Sequence, residues 1–226
     1  MQGRNNFMIL AVGNIKGGVG KTTLAINIAI SRALEGRDVL LVDGDEQRTA
    51  ITFTDLRTEQ IGRPGYTVVS LYGASLRTQV RQLADKYNDI VIDVGGRDTG
   101  SLRAALTVAE TLLIPVQPRS FDIWALDQVA DLVKEALEIN ELRAFAILNA
   151  ADAQGHDNEE AAKAISEVAG IEMLKILIGR RKAFPNAAAT GRSVLEQNPK
   201  DVKAVAELTS LIDAIYLKKY NRCDIQ

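Results

Sequence analysis

The chain has 226 residues, 46% of them hydrophobic and 25% charged, with a formal net charge of −2. That is ordinary globular usage with room for one α/β domain and a well-buried core. A globally basic chain is excluded, so any contact with nucleic acid must come from a local patch.

The single cysteine, Cys223, excludes an intramolecular disulfide framework and a paired-cysteine metal site. No secretory leader and no apolar run of membrane-spanning length can be read, which predicts a cytoplasmic protein with no membrane partner. Residues 1–6 are polar and expected to fray. Phe7 to Val12 is an apolar run that stops at Gly13. A glycine-rich loop follows and ends at Lys21-Thr22, where a helical pattern begins; it runs to Glu35, with Gly36 as its cap.

Strand, glycine-rich loop and helix, in that order, make a phosphate cradle. Glycines let backbone N–H groups approach an anion, and the helix N-terminus adds partial positive charge. Gly17, Gly18, Val19, Gly20, Lys21, Thr22 and Thr23 are the candidate nucleotide contacts. Lys21 reaches the β/γ-phosphates, and the Thr22 hydroxyl is a candidate Mg²⁺ ligand.

Val39 to Val42 is a continuous apolar strand ending in VDGDEQ. Residues 48–60 read as a helix, 62–65 as a turn, Tyr66 to Leu71 as a strand and Ala74 to Tyr87 as a helix. Ile90 to Val94 is a strand that carries Asp93 and meets Gly95-Gly96. A helix from Ser101 to Val108 precedes the strand TLLIPV. A long helix follows, capped by Ser120 or Asp122, with Phe121 and Trp124 as packing residues. Leu142 to Leu148 is the sixth strand, with Asn149 and Asp152 in the loop after it. Residues 158–169 are helical, Met173 to Ile178 is a seventh strand, and Lys200 to Tyr220 is a terminal helix. That helix sets Val202, Val205, Leu208, Leu211, Ile212 and Ile215 on one core-facing side. The alternation predicts a single α/β domain over residues 1–226, a P-loop NTPase. Its sheet is mostly parallel and twisted, of about seven strands, with helices on both faces. Ligands bind at the C-terminal strand ends of such sheets, where Asp43, Asp45 and Asp93 fall.

The loop departs from the plain G-x-x-x-x-G-K-[ST] pattern: Ile15 stands at the first glycine, and Lys16 adds a second lysine in K-G-G-V-G-K-T. This resembles the deviant Walker A motif of the ParA/MinD ATPases, and the likeness spans essentially the whole chain. It implies ATP and Mg²⁺, and a homodimer in the ATP state. Lys16 then reaches the partner's nucleotide and acts with Lys21 and Asp45 in catalysis. VDGDEQ is similar to the family's V-D-x-D-P-Q, in which the first acid, here Asp43, supports the Mg²⁺ shell and the second, Asp45, positions the hydrolytic water; Glu46 replaces the proline. VIDVGG resembles the Walker B strand, with Asp93 on a metal-bound water. Gly95-Gly96 replaces a D-x-P-P ending and reads as a more mobile switch. The guanine motif N-K-x-D is incomplete because Ala150 replaces the lysine. The resemblance therefore implies adenine, with Asn149 either a base contact or a strand-end turn residue.

From Lys175 to Lys203 there are seven basic residues against Glu196 and Asp201. Such a segment is either a phosphate-binding surface or a solvated charged face. Its resemblance to the ParA region that meets nonspecific DNA favours the first, through Arg180, Arg181, Lys182 and Arg192. The implied function is a slow ATPase that positions cargo, foremost a plasmid. Its ATP-bound dimer sits on nucleoid DNA and is released when a ParB-like or adaptor protein stimulates hydrolysis. The alternatives are a MinD-like regulator cycling on membranes and a positioner of protein cargo or a conjugation complex.

Overall fold

Continuous apolar strands can be buried only if both faces of their sheet are covered, and the chain folds accordingly. The computed structural model describes residues 7–96, 99–118, 123–152 and 156–220. The frayed N-terminus, the Ser120 or Asp122 cap, Phe121 and Cys223 lie outside the described residues, as does the side chain of Trp124. In chain order the elements are β1 Met8–Val12, α1 Lys21–Leu34, β2 Val39–Gly44, α2 Thr49–Ile61, β3 Thr67–Ser70 and α3 Gly73–Leu83. Then come β4 Asp89–Val94, α4 Thr99–Leu106, β5 Thr111–Val116, α5 Ile123–Leu137, β6 Arg143–Ala151 and α6 Asp157–Ser166. β7 Glu172–Gly179, α7 Ala183–Ala188 and α8 Val202–Tyr220 complete them.

The strands form one seven-stranded sheet in the order β3-β2-β4-β1-β5-β6-β7, and every pairing is parallel. Strand periodicity divides the core. Met8, Leu10 and Val12 of β1 face one layer with Leu24 and Ile28 of α1, Phe53 of α2, Phe184 of α7 and Leu208 and Ile215 of α8. Ile9 and Ala11 face the other, with Leu76, Leu102, Val129 and Ile165 from α3, α4, α5 and α6. The terminal helix packs as core through Leu208, Leu211, Ile212 and Ile215, as its pattern predicts, but Val202 is 77% exposed, Val205 is only half-buried, and buried Ala204 serves the first turn.

Two features of this sheet set up the site. β1 lies between β4 and β5, so the chain leaves it at the switch point where parallel sheets open a crevice. The β2–β4 register pairs Asp43 with Asp93, and β1 pairs Val12 with the same Asp93. The acids therefore meet beside the exit of β1. At the opposite end of β4, Asp89 is fully buried and accepts hydrogen bonds from Nε of Arg32 at 2.9 Å and of Arg37 at 3.4 Å. The Arg32 guanidinium also lies 4.0 Å from the centre of the Tyr216 ring, fastening α1 and α8 to the base of the sheet.

Candidate nucleotide-binding site

The loop from Gly13 to Gly20 turns tightly over the C-terminal end of β1, with Gly18 at φ 74° and Gly20 at φ 90°. Only glycine adopts those angles without strain. Gly20 has a second reason: a Cβ there would lie 2.3 Å from Nδ2 of Asn149.

Three amide side chains fix the loop, and the glycine pattern announces none of them. Asn14, 4% exposed, donates to the Pro115 carbonyl at 2.9 Å and accepts from the Lys16 amide at 3.0 Å. Gln117 donates to the Gly18 carbonyl at 2.8 Å, and Asn149 to the Val19 carbonyl at 2.7 Å. Loop carbonyls are thus held from β5 and β6. The N–H groups that begin α1 are left to an incoming anion, because the first turn of a helix has no internal acceptors. Asn149 is reached by a bulge: β6 slips register against β7 between Asn149 and Ala151, and Ala150 sits at φ 51°. Asn149 is therefore inside the strand rather than in the loop after it, and at 7% exposure its amide nitrogen serves the phosphate loop.

A cleft of about 960 Å³ opens above this loop, at the upper end of the range for small-molecule sites. Gly17, Gly18, Gly20, Lys21, Thr22 and Thr23 line one side, Asp45, Glu46, Gln47 and Thr49 another, and Gly95 and Gly96 the third. Val19, 1% exposed, anchors the loop from beneath. The Lys21 ammonium donates to the Lys16 carbonyl at 2.8 Å. Burial lowers its pKa, opposed by Asp93 and Asp45.

The three acids are in three different situations. Asp43 is fully buried, and its oxygens accept the amides of Asp45 at 3.1 Å and Ile51 at 2.9 Å. Burial raises its pKa against those bonds. It braces the 45–48 turn and caps the first turn of α2. Asp45 is half-buried at the cleft wall and accepts the Gln47 amide at 3.0 Å. Asp93 is 1% exposed, and among the described residues no group bonds either of its oxygens at full hydrogen-bond geometry, the Thr22 hydroxyl approaching only loosely. Burial raises its pKa to about 7, with the Thr22 hydroxyl and the Lys21 ammonium pulling the other way. A buried carboxylate whose oxygens lack full hydrogen bonds, beside Thr22 at a phosphate loop, fits a hydrated Mg²⁺. A cation there would favour its charged form.

Gly95 and Gly96 are small because of close approach. A Cβ on Gly96 would lie 2.9 Å from the Lys16 carbonyl and from the Lys21 ammonium; one on Gly95 would lie 3.0 Å from the Asp45 carboxylate carbon. The pair sets its backbone close against both the phosphate loop and the catalytic candidate.

The basic residues separate. Arg181 is held by both oxygens of Glu207 on α8, its Nε at 2.9 Å, which ties the turn after β7 to α8 and partly offsets its charge. Arg180 is exposed and pairs loosely with Asp152 at 3.6 Å. Lys182 and Arg192 line a second cleft with Glu196 and Asp201.

Fold and cleft define a parallel α/β P-loop nucleotide-binding protein. Residues 10–194 match the CobQ/CobB/MinD/ParA nucleotide binding domain, and the chain belongs to that family. Maintenance of carboxysome distribution protein A from Halothiobacillus neapolitanus is 28% identical over 214 residues, 93% of this chain and 97% of that protein. The ATP complex of McdA from Cyanothece superimposes with a TM-score of 0.75 at 16% identity, over 92% of this chain and 96% of that one. A plasmid partition protein from Borrelia burgdorferi bound to AMPPNP gives 0.73 at 20% identity, over 94% and 99%. Among the described residues no helix is long and apolar enough to cross a membrane.

Proposed function

We propose that the protein is a slow, partner-stimulated ATPase that positions cargo by binding DNA nonspecifically as an ATP-bound dimer. The observation that carries this reading is the pairing state of the acids in the basic segment. Glu196 is taken by Arg57 at 2.7 and 2.8 Å, and Asp201 accepts the amides of Lys203 and Ala204 at the start of α8. Among the described residues neither Lys182 nor Arg192 is held in an ion pair, although the Asp201 carboxylate shares their cleft, and Arg180 is exposed two residues before Lys182. Phosphate contacts of this kind carry no sequence information and weaken with salt.

In the ATPase cycle, Lys21 leaves the Lys16 carbonyl for the β/γ-phosphates. Thr22, with Asp93 through a bound water, would hold Mg²⁺, which would supply charge to neutralise the phosphates. Asp45 orients the attacking water, with Asp43 behind it fixing the turn. Any adenine contact by Asn149 uses its amide oxygen, because its nitrogen is bonded to Val19. Lys16 crosses to the partner's nucleotide, and two copies of a modest basic surface then act together.

Two kinds of cargo are consistent with the relatives: a replicating DNA such as a plasmid, and a large protein assembly, which the name of the carboxysome distribution protein favours. An adaptor on the cargo would stimulate hydrolysis and release the dimer. Sedimentation with Mg²⁺ and a nonhydrolysable ATP analogue tests the dimer. The wild-type protein is expected to double in mass. Lys16→Ala is expected to bind the analogue and remain a monomer, and a Lys16→Ala dimer of normal stability contradicts the reading.

A further inference from the structure

Arg192 lies in the turn between α7 and α8, and both of its neighbours in sequence are fixed by buried side chains from the nucleotide-site helices. On one side Arg57 of α2 donates Nη1 to the Gly191 carbonyl at 2.8 Å while it grips Glu196. Gly191 has φ 65°, and a Cβ there would lie 2.6 Å from the Arg57 Cα. On the other side Asn27 of α1 accepts from the Ser193 hydroxyl at 2.8 Å and the Val194 amide at 3.1 Å. Its own nitrogen donates to the Thr23 carbonyl at 2.7 Å. Asn27, Arg57 and Ser193 are 4%, 5% and 0% exposed. Buried polar groups are costly to leave unpaired, so the turn cannot slide off either helix without breaking these bonds.

Both anchors lead back to the cleft. Thr23 lines it one helical turn before Asn27. Thr49 lines it at the start of α2, about 12 Å along the axis from Arg57 at 1.5 Å per residue. Asp43 ties the 45–48 turn to the first turn of α2.

Resting on the DNA-binding reading above, we propose that Asn27 and Arg57 are positioning residues that carry the state of the nucleotide site to Arg192. Phosphate seats against the N-terminus of α1, and the Asp45 turn closes on it and draws α2 along. The 191–196 turn bridges both helices, so a change in their spacing re-aims Arg192 at the basic surface. ATP then acts on each protomer's DNA surface as well as on dimer formation.

Amide hydrogen exchange with and without Mg²⁺ and a nonhydrolysable ATP analogue tests this in the absence of DNA. In the wild-type protein, nucleotide is expected to slow exchange at residues 17–22 and to shift it at Val194 and Leu195. In Asn27→Ala the first response persists and the second is lost. Arg57→Met, which has no donor for Gly191 or Glu196, gives the same separation and serves if Asn27→Ala does not fold. Glu196→Gln keeps an acceptor for Arg57 and retains the response. Wild-type ATP-dependent gain in DNA affinity, on the order of tenfold, drops severalfold in Asn27→Ala while analogue affinity holds. A wild-type turn that ignores nucleotide, or a response intact in both Asn27→Ala and Arg57→Met, overturns the coupling. A turn that responds in a protein that never binds DNA upholds the coupling and overturns only the DNA-binding reading.

Discussion

Asp45→Ala is expected to lower ATP turnover by roughly 100-fold while leaving ATP affinity nearly unchanged, because removing one group that orients the nucleophile typically acts at the transition state. The geometry supports that division. Asp45 is the half-buried acid at the cleft wall, whereas Asp43 is committed to backbone amides and Asp93 is buried at the end of β4. The alanine also loses the acceptor for the Gln47 amide, a smaller, local effect. Single-turnover hydrolysis and equilibrium binding of a labelled nucleotide separate the two. Turnover equal to wild type would move the water-orienting role to another residue.

Asp89→Ala is expected to destabilise the fold by about 3–5 kcal/mol, the usual result of removing one partner of a buried ion pair. Arg32 and Arg37 converge on this one fully buried carboxylate, and Arg32 is itself mostly buried against Tyr216. Without Asp89 the Arg32 charge stays buried with only the exposed Glu35 and the ring beside it. The cluster stands at the end of the sheet away from the cleft, so the loss falls on stability. Urea unfolding of wild type and variant gives the difference directly. A change under about 1 kcal/mol would mean that Arg32 swings out to water.

The phosphate loop and the parallel sheet were legible because both are local in sequence. Glycine spacing, Lys21-Thr22 and the apolar runs lie within short windows, and the acids of β2 and β4 sit at predictable strand ends. What escaped depends on distant partners. Asn14, Gln117 and Asn149 hold loop backbone or its flanking strand over about a hundred residues of separation, and an amide side chain gives no sign of which carbonyl it will find. Arg181 carries the same charge as Lys182, and only the position of Glu207 on α8 shows that it is paired within the fold. Gly95-Gly96 reads as freedom in sequence. In three dimensions the pair also has little room beside Lys16 and Asp45.

Arg57 and Asn27 belong to the same class of long-range effect. Each is a polar helical residue that is almost fully buried, with partners more than 130 residues away. They join the two parts of the proposed mechanism: a cleft built for a nucleotide and a turn that carries charge outward.

DNA affinity measured against salt concentration, with and without a nonhydrolysable ATP analogue and on two unrelated duplex sequences, tests nucleotide-controlled DNA binding most directly. The wild-type protein is expected to bind both sequences alike, on the order of tenfold more tightly with the analogue, and with affinity falling steeply as salt rises. Lys182→Ala with Arg192→Ala should flatten the slope by about one unit for each lost contact in each protomer, with dimerisation intact. Binding that ignores the nucleotide, or a double variant with unchanged affinity and slope, would contradict the account.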